Sequence, residues 1–139
     1  GRLKEVIRDE FGLTHTAVQR KLMDYAARAR GLDNTVGAHD AVRLYELVRA
    51  LPEAERAWVD SLLASCQDDT LLKRNVPRDR VRFCHKTGSI PGVLHDWGYT
   101  RREEIFLFTN AVRDEMRVVE IFGQLGEALA EGLTEDEAE

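Results

Sequence analysis

The sequence predicts an α+β domain, and two observations carry that reading. The apolar period changes from helical to alternating near residue 81, and three strand-like runs are then closed by a single helix. The 139 residues suffice for one hydrophobic core. With 43% hydrophobic and 32% charged residues, the composition excludes the disordered and fibrous classes. No apolar run approaches the roughly 18 to 20 residues that a bilayer span needs. Gly1-Arg2-Leu3-Lys4 leads straight into an amphipathic pattern, without the features of a signal peptide.

Taken in order, Leu3, Val6, Ile7 and Phe11 recur at helical spacing, so a helix ends near Gly12. Residues 13–36 keep no clean period and finish in the turn-rich run Gly31-Leu32-Asp33-Asn34-Thr35, which predicts a long loop with a short helical turn within 17–29. A helix follows at 38–50, with Val42, Leu44, Tyr45, Leu47 and Val48 as its buried side. Pro52 suits the start of the next helix, at 53–66, marked by Trp58, Val59, Leu62 and Leu63. Leu71-Leu72 marks a further short turn. The alternation of Val81-Arg82-Phe83-Cys84-His85-Lys86 predicts a half-buried strand, broken from Gly88 to Gly92. A second strand runs through Trp97-Gly98-Tyr99 and a third through 105–109. The last helix, 114–131, carries Met116, Val119, Ile121, Phe122, Leu125 and Leu129. Its Gly123 and Gly126 cost about 1 kcal/mol each against alanine unless close packing requires them.

Charge and residue chemistry narrow the partners. The formal net charge is −5, and 131–139 is especially acidic, so phosphate backbones are repelled and nucleic acid is a poor partner. Cys66 and Cys84 show no CxxC spacing. Free buried thiols are the default reading and a disulfide the alternative. His15, His39, His85 and His95 are scattered, with no pair at the i, i+4 spacing of a helical zinc site. No metal and no cofactor is implied. His95 and Asp96 are neighbours, but adjacent strand residues point to opposite faces and cannot readily share a proton relay. Arg101-Arg102, flanked by Glu103-Glu104, reads as the turn between two strands.

Lys86-Thr87-Gly88-Ser89 ends the first strand, and Ile90-Pro91-Gly92-Val93-Leu94-His95-Asp96-Trp97-Gly98 follows. A Lys-Thr-Gly by itself is common by chance. Here it lies on a predicted strand, turns through Pro-Gly, and leads to two more strands and a terminal helix. That is the setting of the third motif of class A β-lactamases and penicillin-binding proteins, and the chain resembles the C-terminal part of this family of serine hydrolases. Upstream, Leu13-Thr14-His15-Thr16, Arg20-Lys21-Leu22-Met23-Asp24 and Gly31-Leu32-Asp33-Asn34-Thr35 resemble the omega-loop region of uncharacterised relatives, so the similarity covers nearly the whole chain in family order.

The resemblance implies a β-lactamase-like fold: an antiparallel sheet flanked by helices, beside a helical lobe. Residues 1–75 would form the omega-loop region and part of the helical lobe, 76–132 three strands and the terminal helix, and 133–139 an acidic tail. It implies catalytic roles for Lys86 and Ser89 and a substrate-binding strand of Lys86, Thr87, Gly88 and Ser89. The Lys86 ammonium would attract a substrate carboxylate and help protons move. The Thr87 hydroxyl would bond the same carboxylate, Gly88 would let the ligand approach, and the Ser89 N–H would be one of two oxyanion donors. The substrate would be a β-lactam or a related peptide or ester, and the family is usually exported to the periplasm or beyond.

Three departures shape the expectation. No Ser-x-x-Lys tetrad occurs, since Ser61 precedes Leu-Leu-Ala, Ser65 Cys-Gln-Asp and Ser89 Ile-Pro-Gly. The Ser-x-Asn motif is absent too. In the family both lie N-terminal to the matching region, so the chain reads as a fragment, inactive by itself. Its missing part would place strands beside 105–109, and without them the chain would expose an apolar sheet edge and fold poorly. Finally, residues 13–36 contain no Glu to activate a deacylating water. Asp24 is the possible omega-loop carboxylate, with a helix cap as its plainer role. Two rival readings stand beside this one. A domain of the same fold could bind or sense a ligand without chemistry. Alternatively, residues 10–30 could form a helix-turn-helix, with Arg20, Lys21, Arg28 and Arg30 on phosphates and Gln19 on a base edge.

Overall fold

The computed structural model describes residues 2–77 and 81–135. The chain divides into two compact units, 1–56 and 57–139. In the first, α1 (Arg2–Glu5) continues into a π-helical turn, Val6–Glu10, closed by the Phe11 N–H on the Val6 carbonyl at 3.0 Å. Gly12, at φ +70°, then turns the chain out of the helix in a conformation that favours glycine.

Residues 13–36 are better ordered than their lack of period suggests. Ala17 and Thr35 form an antiparallel bridge, and the Asn34 side-chain oxygen accepts the backbone N–H of Gln19 at 2.9 Å and of Arg20 at 3.0 Å. Arg20 and Arg28 both grip Asp33, at 2.8 and 3.0 Å. The result is a loop pinched at its neck, with its helical turn reduced to α2 (Tyr25–Ala29). A recognition helix over 16–30 does not form, which removes the helix-turn-helix reading.

Helix α3 (Ala38–Arg49) lies where its period placed it, but a different side is buried. Asp40, Ala41 and Tyr45 are inside, Leu47 and Val48 are half-buried, and Val42 and Leu44 are exposed. Helix α4 (Glu53–Ala64) spans the division between the units. In it Trp58 and Leu62 are exposed.

The second unit holds the sheet. Strands β1 (Cys84–Ile90), β2 (Val93–Tyr99) and β3 (Glu104–Phe108) pair antiparallel in the order β1-β2-β3. Gly88 does not break β1 as expected. It pairs opposite His95 and the ladder runs on to Ile90–Val93, because the chain reverses only at Pro91-Gly92, where Gly92 takes φ +77°. The second turn closes through Thr100 N–H on the Glu103 carbonyl at 2.8 Å, with Arg101 and Arg102 exposed, as the charge pattern indicates. Beyond the sheet, α5 (Glu115–Glu135) buries Phe122 and Ala130. The tail expected over 133–139 falls, from 136 on, outside the described residues.

Alternation sorts the sheet side chains into two faces. His85, Thr87, Leu94, Asp96 and Leu107 share one; Leu94 and Leu107 pack there with Leu71 and Phe122, joined by Val112, Val118 and Val119. Lys86, His95, Trp97, Phe106 and Phe108 share the other, where Trp97 stacks on Phe106 at 5.8 Å and His95 meets Phe108 edge-on at 4.8 Å. Helix α5 closes on the 3₁₀ turn Leu72–Asn75 through its glycines. A Cβ on Gly126 would fall 1.8 Å from the Leu72 carbonyl oxygen. Close packing therefore requires this glycine. Met116, Ile121 and Leu125, larger and more apolar, are exposed.

Candidate active site

The Lys-Thr-Gly-Ser stretch occupies β1, an edge strand among the described residues, so one side of its backbone is open to a ligand. Lys86, Gly88 and Ser89 are exposed, whereas Thr87 is buried. The Lys86 ammonium donates to the Thr87 carbonyl at 2.6 Å. The Thr87 hydroxyl, on the opposite face, donates to Asp68 at 2.5 Å. Asp68 also accepts the Thr70 hydroxyl at 2.6 Å and the Thr70 N–H at 3.2 Å. The hydroxyls of Thr70 and Thr87, aided by the Lys86 charge, outweigh partial desolvation and hold the Asp68 carboxyl below its ordinary pKa. An anion fixed here orients the Thr87 hydroxyl, and Lys86 remains on the accessible surface.

Behind the strand lies a buried polar pair. His85 Nδ1 and Asp96 Oδ1 are 3.0 Å apart with both side chains fully excluded from solvent, and Asp96 Oδ2 accepts the Leu72 N–H at 3.1 Å. His85 Nε2 is also buried and has no hydrogen-bond partner among the described residues. The pairing is possible because Gly98 stands opposite His85: a Cβ there would come within 2.6 Å of the His85 Cβ. Strands β1 and β2 and the 3₁₀ turn are thus tied together immediately before Lys86. Asp96 and His95 point apart, as their adjacency requires. The His95 ring lies 2.9 Å from the Leu94 carbonyl on the other face, where desolvation holds its pKa below the ordinary value.

Cys84 and Cys66 form no disulfide; Cys84 is buried, as the default reading expects, with its thiol on the Asp60 carbonyl at 3.3 Å, whereas Cys66 is only half-buried. Asp24, in the first unit, accepts the Ala27 N–H at 2.9 Å and so caps α2. Beside it Leu22 and Met23 are exposed at 86% and 73%, so the tip of this loop presents apolar side chains and no second carboxylate. Sequence reasoning missed Asp68 and Thr70. They lie far upstream of the motif, and no spacing rule connects them to it. His85 stood within the matching string, yet its buried pairing with Asp96 depends on a register that the string alone does not supply.

The strand–turn–strand geometry of this motif and its terminal helix is that of a β-lactamase-like serine hydrolase fold. The chain belongs to the beta-lactamase enzyme family, whose model matches residues 2–133. Among solved structures it is similar to the beta-lactamase from Sphaerobacter thermophilus DSM 20745, at 20% identity and a TM-score of 0.67, over 91% of this chain and 51% of that one. It is also similar to a mutant of PBP-A solved as its acyl-enzyme complex with penicillin G, at 19% identity and a TM-score of 0.68, over 96% and 51% of the two chains. The chain therefore spans about half the length of these relatives. A search of curated proteins finds no match.

Proposed function

We propose that this chain carries the substrate-cradling part of a serine acyl-transfer hydrolase that acts on a β-lactam or a related amide or ester, with the nucleophilic serine outside these 139 residues. The observation that carries the reading is the placement of Lys86, Gly88 and Ser89 on an accessible sheet edge, with the buried Thr87 between them donating its hydroxyl to Asp68 instead of presenting it to a ligand. The family match and the penicillin G acyl-enzyme of a protein of similar fold support it.

In the reaction the serine oxygen attacks the carbonyl carbon, and the Ser89 N–H donates to the oxyanion, worth about 3 kcal/mol in comparable sites. The carbon–nitrogen or carbon–oxygen bond then breaks and a proton passes to the leaving group. An acyl-enzyme ester results, which water later cleaves to restore the serine. Lys86 draws in an anionic substrate and favours the attacking group's loss of its proton. Residues 13–36 offer no glutamate, and Asp24 is occupied in capping, so the acyl-enzyme turns over slowly.

The test is the intact mass of the protein from its source, with and without penicillin G. A mass well above 15.8 kDa that gains one penicillin adduct is expected. A mass near 15.8 kDa with no adduct would overturn the acyl-transfer reading and leave a cradle that binds without chemistry.

A further inference from the structure

Within residues 1–56 the loop neck brings together side chains that are scattered in sequence. His15, His39 and Asp40 each offer one ligand atom, and the three atoms lie within 4.8 Å of one another. We propose that these residues bind a zinc-class divalent transition metal, in a site that pins the start of the loop to the first turn of α3.

Asp40 supplies the fixed corner. It is 1% exposed, and its Oδ2 is held by the His15 backbone N–H at 2.7 Å. Its Oδ1 lies 3.5 Å from His15 Nδ1. Zinc bonds of roughly 2.0–2.1 Å in a tetrahedron place ligand atoms about 3.3 Å apart. That pair is already near the required spacing. His39, exposed on α3, has only to swing its ring inward. Asp40 is a carboxylate with one oxygen on a backbone N–H and the other turned toward the His15 ring. The full negative charge exceeds the roughly half positive charge of the helix N-terminus beside it. Gly37 lets the two elements meet, since a Cβ there would lie 2.7 Å from the His15 Cβ. Two nitrogen donors and one oxygen suit zinc and disfavour magnesium or calcium, which prefer oxygen shells. The exposed side of His15 leaves a fourth position for water.

The experiment is a zinc titration of the whole chain against a chromophoric chelator, with hydrogen exchange followed across 13–20 and 34–40. One zinc per chain is expected, with slower exchange at both ends of the loop. His15→Gln and His39→Gln, at exposed positions that leave the fold intact, should each weaken binding at least ~10-fold. Circular dichroism establishes that the variants remain folded. Binding that is equally strong in either folded variant would assign the zinc elsewhere, for instance to the half-buried Cys66, and overturn the proposal. Absence of stoichiometric zinc binding by the folded chain, or equal affinity for magnesium, would overturn it as well.

Discussion

Gly126→Ala is the sharpest probe of how the sheet unit is assembled. The new methyl group would fall 1.8 Å from the Leu72 carbonyl oxygen and 2.8 Å from its carbonyl carbon, both backbone atoms that no rotamer change can move. Relief requires the 3₁₀ turn to retreat by over 1 Å, and its Leu72 N–H then leaves Asp96 Oδ2, now 3.1 Å away in a site without solvent. Overpacking costs about 1–3 kcal/mol and a stranded buried acceptor another 1–3, while alanine recovers about 1 kcal/mol of helix propensity. The net loss is about 1–5 kcal/mol. In urea, with a slope of about 2 kcal/mol/M, the midpoint should fall by about 0.5–2.5 M. Tryptophan fluorescence suits the assay because Trp58 and Trp97, the only two tryptophans, both lie in the second unit. Two other glycines of the helix serve as controls. The nearest atoms to a Gly123→Ala methyl belong to the Asn75 and Arg74 side chains, at 3.0 and 3.4 Å, which can give way, so this variant should be close to neutral. Gly132→Ala meets nothing within 4 Å and should stabilise by up to about 1 kcal/mol. A Gly126→Ala chain as stable as the parent would refute the seating of α5 against Leu72.

His85→Ala should cost about 3–5 kcal/mol by the same assay, because it leaves the fully buried Asp96 without its ring partner. A loss under 1 kcal/mol would mean that the pair is not formed. Asp33→Ala strands Arg20, whose side chain is 7% exposed, and should open the loop neck. Trypsin should then cleave at Lys21 about 10-fold faster, consistent with roughly 1.4 kcal/mol of local stability lost, and an unchanged rate would rule out the clamp. Asp68, with its pKa depressed, contributes stability that is present above the ordinary carboxylate pKa of ~3.9 and lost as pH falls through the lower folded value. Asp68→Asn should therefore flatten the acid limb of the urea midpoint below about pH 4. An identical acid limb in the variant would show that Asp68 is not held down by Thr70 and Thr87.

The elements were largely legible from the period of the apolar residues, and the burial of particular side chains was not. Helix α3 illustrates why. Its apolar residues fall on more than one side, and the choice among them is made by Asp40, a charged residue that hydropathy assigns to the surface. Burial becomes tolerable only when the His15 N–H arrives from 25 positions upstream. In α5 the buried stripe joins Phe122 to the small residues Gly123, Gly126 and Ala130, and a hydropathy reading ranks the small ones below the exposed Met116 and Leu125. Gly88 has the composition of a strand breaker, but a strand paired along its length passes through a glycine without interruption. For the site, the motif string located β1 and its turn. The partners that fix it, Asp68 and Asp96, are set by tertiary approach, which leaves no periodic trace.

The geometry of the motif depends on residues well removed from it in sequence. Lys86 and Thr87 are positioned by a strand whose preceding residue, His85, is anchored to Asp96, and Asp96 is held by the 3₁₀ turn through Leu72. That turn can come so close only because α5 presents Gly126 there, and His85 fits against β2 only because Gly98 has no side chain. Thr87 is held from the other direction by Asp68, four residues before the same turn. A shift of the turn would therefore act on Thr87 through both Asp96 and Asp68. Gly126→Ala and His85→Ala should accordingly be strongly non-additive, since each disrupts the interaction that gives the other its cost. A double variant whose destabilisation equals the sum of the two would mean that the helix seat and the buried pair support the motif independently.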